Sequence, residues 1–478
     1  MTKNQRVSAN LLETLPTLNK NKADALIQEA LGTFNKKIIV LDDDPTGVQT
    51  VHDISVFTDW SVESIEKGFL EEQSMFFILT NSRGFTEEET AREHIKIAEN
   101  ILAVSKKLNR DYLIISRGDS TLRGHYPLET TVLKETIESA SEKKIDGEVI
   151  LPFFKEGGRF TVNNIHYVQD GSELVPAGET EFAKDRTFGY TKSDLGEWIE
   201  EKSRGEYKAA DTLYLSIETL RSMDVDGIAS QLMEVKDFNK VVVNTVDEGD
   251  VKIFTAALIQ AINAGKNFLF RSAAALPKVI GGVQDKALLT RNEMIQEETG
   301  HGGLIIIGSH VKKTTEQLER LKEIKEIEFI EFNSHLVLEP ERFKQETDRV
   351  IETTESLVRS GKTVAVYTSR ERLDLGENKK EEELKLSVAI SDAVTSIVTR
   401  LQVKPNFLIA KGGITSSDVG TKGLNVKRAT VAGQVRPGIP VWRTGDESKY
   451  PGMSYVIFPG NVGTKSDLKV VTEMLIHP

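Results

Sequence analysis

The chain has 478 residues, more than one ordinary hydrophobic core holds, so about two to four domains are expected. With 39% hydrophobic and 28% charged residues it reads as globular rather than disordered. A formal net charge of -12 argues against nucleic acid as the main partner, which needs a basic surface, and the absence of cysteine removes disulfides, thiolate nucleophiles and cysteine metal sites.

Met1 to Lys20 is polar, without an apolar core of signal-peptide length, and no apolar run approaches the ~20 residues needed to cross a bilayer. A cytoplasmic protein with no membrane partner is the expectation. Residues 1–35 read as a helical N-terminal extension. From there short apolar runs alternate with amphipathic stretches. Lys37 to Leu41 (KIIVL), Ser74 to Thr80 (SMFFILT) and Asp111 to Ser116 (DYLIIS) predict strands. Glu87 to Asn109 predicts a helix with Ala91, Ile95, Ala98 and Leu102 on its apolar face. Further strands are expected at Glu148 to Phe153, Thr212 to Ser216 and Lys240 to Val246. Residues 156–168 and 175–190 read as long polar loops of the kind that close over ligands.

Gly281 to Gly303 is polar and aperiodic, so residues 283–302 are expected to link a first domain, 36–282, to a second, 303–478. In the second, strands are predicted at 302–309, 327–332, 363–369, 406–410 and Tyr455 to Phe458, with a charged helix from Lys312 to Lys325. Strands alternating with helices imply an α/β fold of two domains, each on a mainly parallel sheet flanked by helices. Ligands of such sheets bind at the carboxyl ends of the strands, where this chain concentrates polar residues.

Three segments in the first half follow strands directly. LDDDPTG (41–47) places Asp42, Asp43 and Asp44 side by side, and adjacent carboxylates need a cation, a donor-rich ligand or solvent. TNSRG (80–84) carries Arg83, a planar fork suited to a carboxylate. SRGDSTLRGHYPLE (116–129) crowds Arg117, Asp119, Ser120, Thr121, Arg123 and His125 together, a set suited to a polyhydroxy acid. His125 reads as a hydrogen-bonding support rather than a base. Taken singly, each segment also fits a plain capped turn or a surface ion-pair cluster.

In the second half IIIGSH (305–310) sets Gly308 and Ser309 before a helix, where backbone N–H groups attract phosphate. KGGITSSDVGTKG (411–423) has a glycine pair, Gly412 and Gly413, then hydroxyl residues opening a helix, and FPGNVGTKSDL (458–468) repeats the theme. Neither SGKT (360–363) nor GNVGTKS (460–466) is a P-loop, because the required upstream glycine in the first and the glycine before lysine in the second are replaced by Ser356 and Thr464.

Together these motifs resemble the four-carbon acid sugar kinase family, once catalogued as a domain of unknown function. LDDDPTG is similar to that family's opening D-D-x-T-G, SRGDSTLRG to its K/R-x-D-S-T-L-R-G signature, KGGITSSDV to its Gly-Gly-x-Thr-Ser nucleotide loop and PGNVG to its Ser-Gly-Asn-x-Gly segment, in order from residue 37 to near the C-terminus. The resemblance implies an N-terminal sugar-acid domain, a C-terminal ATP domain, and phosphorylation of the terminal hydroxyl of an acid such as threonate, erythronate or 3-oxo-tetronate. It implies Asp43, Asp44, Arg83, Asp119 and Arg123 at the substrate, with Arg117 and Ser120 as further substrate candidates. It implies Ser309, Gly412, Gly413, Thr415 and Gly460 at the nucleotide, with Ile414 in the same loop. Asp44 or Asp119 is the expected catalytic base. ATP and Mg2+ are the expected cofactors, a small sugar acid the partner, and a homodimer the candidate assembly. Many members have Glu where Ile414 stands, and PGNVG has Pro459 and Val462 where Ser and Phe are common. The alternatives are a kinase for another hydroxy acid and a non-catalytic sensor of a sugar acid and a nucleotide.

Overall fold

The computed structural model describes residues 5–371, 373 and 380–477. The chain divides into two compact units, one of Met1–Gly47 and Asp59–Asp285, the other of Val48–Thr58 and Lys286–Pro478.

The first unit is built on strands in the order Leu213–Leu215, Asn239–Val243, Gly147–Leu151, Phe268–Ser272, Tyr112–Arg117, Lys37–Asp42, Met75–Leu79, all paired in parallel. Their residues are apolar almost without interruption because a parallel sheet is covered on both faces; Ile38, Ile39, Val40 and Leu41 are all buried. The strand Phe268–Ser272 was not among the expected ones. The helix Glu87–Leu108 starts with a capping box between Thr86 and Glu89 and ends on Asn109 in the left-handed conformation. Its buried stripe is Thr90, His94, Ile97, Ala98, Ile101 and Val104, turned by about one residue from the predicted face, and Ile95 is exposed. A periodicity count that treats His and Thr as polar misses this stripe, since His94 is buried with its Nδ1 2.8 Å from the Thr90 carbonyl oxygen.

Residues 156–168 and 175–190 are not simply loops. A small antiparallel sheet runs in the order Val7–Ser8, Glu173–Pro176, Ile165–Asp170, Arg159–Val162. The turn Asn163–Asn164 has φ of 51° and 68°, the left-handed pair of a type I′ hairpin turn, for which asparagine is favoured. That Asn-Asn between RFTV and IHYV is the signal that a reading for loop length passes over.

The second unit has a mixed sheet. Ile327–Phe332, Thr363–Thr368, Leu304–Ile307, Leu408–Lys411 and Ser454–Phe458 are parallel neighbours in that order. Ile439–Thr444, Arg428–Arg436 and Ser55–Phe57 then continue it in antiparallel pairing. Arg428–Arg436, which was not among the expected strands, alternates buried and half-buried residues strictly, the period of a strand. Residues 48–58 lie in the first domain by sequence order but belong to this unit, held by Arg428 pairing with Phe57 and Thr430 with Ser55. Much of the expected linker also packs here: Leu289, Met294 and Ile295 are buried in the second unit's core, and Thr290 and Glu293 form a capping box. Among the described residues no helix is long and apolar enough to cross a membrane.

Candidate functional site

The first unit gathers its charged motifs at the carboxyl ends of four adjacent strands. Asp42 closes Lys37–Asp42 and pairs in register with Leu79 on one side and Arg117 on the other. Arg271 pairs with Ser116 across the next strand. Arg83 stands on the single turn Ser82–Gly84 that follows Met75–Leu79. Parallel pairing therefore brings segments from four distant parts of the chain to one edge.

Arg83 is the hub. Its Nε lies 3.3 Å from Asp43 Oδ2 and its Nη1 3.9 Å from Asp119 Oδ1, and its Nη2 pairs with Asp44 Oδ2. Arg117 Nη1 is 3.3 Å from Asp42 Oδ1 and 3.8 Å from Asp43 Oδ1. Arg123 Nε donates to Asp119 Oδ2 at 2.7 Å, and its Nη1 is 3.8 Å from Asp185. The Asp119 amide donates to Asp43 Oδ2 at 3.2 Å, tying two motifs together through the backbone. Ser120 is buried in the same turn, its carbonyl oxygen 2.8 Å from His166 Nε2. His125 Nε2 lies 3.0 Å from the Phe85 carbonyl oxygen and its ring meets Phe188 edge-on, so it supports the loop. Thus Asp43, Asp44, Arg83, Arg117, Asp119, Ser120 and Arg123, all named from sequence, meet in one place.

Their environments separate the carboxylates chemically. Burial pushes Asp42 up to about 8 despite Arg117. Burial pushes Asp43 up to about 6, with Arg83, Arg271 and Arg117 opposing it, and its Oδ1 is buried without a hydrogen-bond partner. Asp44 is raised by burial but lowered further by Arg83 and by the Thr46 hydrogen bonds, and ends below the usual carboxylate range. For Asp119 burial is outweighed by Arg123, Arg83 and the Thr121 hydroxyl, which hold it far below that range.

Two residues without an assigned role belong to this cluster. Arg271 Nη2 donates to the Arg123 carbonyl oxygen at 2.6 Å, and its Nη1 is 3.6 Å from Glu129 Oε2. Glu129 is buried and accepts from the Ser82 hydroxyl at 2.6 Å. Gly118 leaves the space that the Arg271 guanidinium fills, since a Cβ there would overlap it. The available signal was an arginine inside the apolar run FLFRS, because a charge within a buried strand has to be paired or used.

The second unit brings its own motifs together after three neighbouring strands. Thr314 Oγ1 lies 3.2 Å from Ser309 Oγ and 3.1 Å from the Gly460 carbonyl oxygen. Gly412 has φ of 123°, and a Cβ on it would come 2.9 Å from Ser309 Cβ. Gly413 opens the helix Gly413–Asp418, Thr415 is buried in its first turn, and Ile414 points outward at 73% exposure. Ser309, Gly412, Gly413, Thr415 and Gly460 therefore line one cradle of bare backbone and hydroxyls, the surface that phosphate groups approach closely. Lys411 and Arg370 were not singled out from sequence. Lys411 is buried, donates to the Pro459 carbonyl oxygen, and lies far below the ordinary lysine pKa because of burial. Arg370 Nη2 donates to the Ser309 carbonyl oxygen at 2.6 Å. Gly412→Ala is expected to weaken ADP binding by about tenfold or more, the cost of forcing a side chain into this conformation. Calorimetry with ADP checks this.

Among the described residues no group of three or more His, Asp or Glu is placed to hold a metal. Asp42, Asp43 and Asp44 turn their charges toward Arg83 and Arg117, which does not suit a resident cation. Magnesium in nucleotide enzymes is commonly carried on the nucleotide's own phosphates with few protein ligands.

Residues 38–280 match the family model of a sugar-binding N-terminal domain, and residues 304–468 that of a nucleotide-binding C-terminal domain. A search of curated proteins returns no match. The fold is similar to that of a Salmonella typhimurium LT2 protein given a provisional tRNA synthase name, with a TM-score of 0.65 and 16% identity over 91% of this chain and 98% of that one. It is also similar to a Haemophilus influenzae protein from a family of unknown function, with a TM-score of 0.57 and 17% identity over 91% of this chain and 100% of that one.

Proposed function

The chain belongs to the four-carbon acid sugar kinase family, and we propose that it transfers the γ-phosphoryl group of ATP to the terminal hydroxyl of threonate, erythronate or 3-oxo-tetronate. The observation that carries this reading is the arginine–aspartate cluster on the sugar-binding domain, where Arg83 alone reaches Asp43, Asp44 and Asp119. Arginines offer forks for a carboxylate, and the aspartates offer acceptors for sugar hydroxyls. The separate nucleotide-binding domain supplies the backbone cradle for phosphates described above.

In the transfer the sugar hydroxyl oxygen attacks the γ-phosphorus, the bond from that phosphorus to the bridging oxygen breaks, and ADP leaves. The hydroxyl proton goes to a carboxylate. An effective base has a pKa near the working pH. Asp43, raised to about 6, suits this better than Asp44 or Asp119, whose ion pairs make them poor proton acceptors. Asp44 and Asp119 then hold Arg83 and Arg123 in place and accept from sugar hydroxyls. Phosphoryl transfer depends mainly on such positioning and on charge stabilisation.

A coupled assay of ADP release with Mg-ATP against D- and L-threonate, D- and L-erythronate, 3-oxo-tetronates and several longer acids tests the reading. Turnover on at least one four-carbon acid is expected. Turnover only on longer acids would remove the four-carbon assignment. ATP binding with no turnover on any acid would replace the kinase by a sensor.

A further inference from the structure

Arg159 opens the strand Arg159–Val162 at one edge of the small antiparallel sheet and is fixed there by its backbone. Its N–H donates to the Phe154 carbonyl oxygen at 2.9 Å, and its own carbonyl accepts from the Phe154 N–H at 3.2 Å. The residue is only 7% exposed. Among the described residues no carboxylate lies within 4.0 Å of its guanidinium, and its buried Nε has no hydrogen-bond acceptor. Arg83, Arg117 and Arg123, by contrast, each have carboxylates within that distance. The Arg159 guanidinium carbon lies 5.7 Å from the centre of the Phe182 ring, and that of Arg123 lies 5.1 Å from the same ring. The charges that act on Arg159 most are those of Asp119 and Arg123, which places it beside the cluster already described.

Arginine does not lose its proton in proteins, so it cannot escape burial by becoming neutral. A buried cation without an anion is costly, and native folds keep such a group only where a ligand or other partner satisfies it. Phe182 offers a flat apolar ring to both guanidinium groups, an arrangement that cations favour. Two forks on one platform, one of them without a protein acceptor, make a receptor for a planar monoanion.

We propose that Arg159, assisted by Arg123 across Phe182, binds the carboxylate of the substrate and is the residue that makes the site select sugar acids over the corresponding polyols. This rests on the sugar-acid kinase reading above. It moves the main carboxylate contact from Arg83, whose three aspartates already occupy it, to the arginine whose charge is unused. The small sheet thereby acts as a specificity element.

Arg159→Met and Arg159→Lys test the proposal in the full-length protein. For Arg159→Met, the KM of the best four-carbon acid should rise about 100-fold or more, with kcat within several-fold of wild type. The inhibition constant of the matching four-carbon polyol should stay within about threefold. The melting temperature without ligand should be unchanged or higher, because an uncompensated buried charge is gone. Arg159→Lys should recover at least part of the lost affinity. An acid KM within about threefold of wild type in Arg159→Met would overturn the proposal. So would equal losses for acid and polyol in both variants, which would mark a change of site shape. Should wild type bind no sugar acid by calorimetry, the kinase reading falls and this inference with it. Wild-type turnover with an unchanged KM in Arg159→Met overturns this inference alone.

Discussion

Asp43→Asn is expected to lower kcat by about 10²- to 10⁴-fold, the usual worth of a positioned base, with the dissociation constants of acid and ADP changed little. The amide is isosteric, and its oxygen can still accept from the Asp119 N–H and face Arg83 Nε. What it loses is the ability to take a proton. The pH dependence gives the sign. Asp43 must be ionised to act, and burial raises it to about 6, so wild-type kcat/KM should climb through pH 6 and level off above it. That acidic limb should vanish from the residual activity of Asp43→Asn. Asp119→Asn makes the contrasting case. Asp119 is held by Arg123 and Arg83 far below the usual range, so its loss should act mainly on KM by releasing those arginines. If Asp43→Asn kept kcat within a few-fold while Asp119→Asn abolished it, the proton acceptor would be Asp119.

Arg83→Met should destabilise the first unit by about 3–5 kcal/mol at pH 7, the cost of removing one partner from buried ion pairs. The side chain of Arg83 is 20% exposed and those of Asp43, Asp44 and Asp119 are 2%, 15% and 11% exposed, so solvent screens the loss only in part. The loss should depend on pH. Asp44 and Asp119 have depressed pKa values in the fold, so the stability they contribute is present above the unfolded carboxylate pKa. It disappears as pH falls through their lower folded values. Without Arg83 those carboxylates rise, and their charge at pH 7 becomes a cost that protonation relieves. Denaturant unfolding of wild type and variant at pH 7 and pH 5 should show a deficit that narrows on acidification. An equal deficit at both values would mean that packing, not charge, is what Arg83 contributes.

Most of what the site contains lies in continuous segments. Asp43 and Asp44, Arg83, and Arg117 to Arg123 each follow an apolar run directly, and in a parallel sheet the ends of such runs converge. The same holds for Ser309, Gly412 and Gly460. These residues were legible because strand, turn and motif are consecutive in the chain. Arg271 and Glu129 were not, because their roles arise only when Phe268–Ser272 lies beside Tyr112–Arg117 and the helix Leu128–Ala140 packs nearby. Arg159 stood in a stretch read as a loop, and the Asn163–Asn164 turn that makes it a hairpin has only a two-residue signature.

The sequence by itself determined the α/β class, the division into sugar-binding and nucleotide-binding halves and most of the charged residues of the first unit's cluster, since these follow from local periodicity and from motifs of consecutive residues. The tertiary structure alone decided that residues 48–58 join the second unit, that among the described residues no carboxylate lies within 4.0 Å of the buried Arg159 guanidinium, and that Asp43 is raised while Asp44 and Asp119 are lowered. The physical reason is that pairing partners, burial and the sum of nearby charges depend on groups far apart in the chain. Asp42, Asp43 and Asp44 are identical side chains in adjacent positions, and only the arginines and the solvent around each one set them apart.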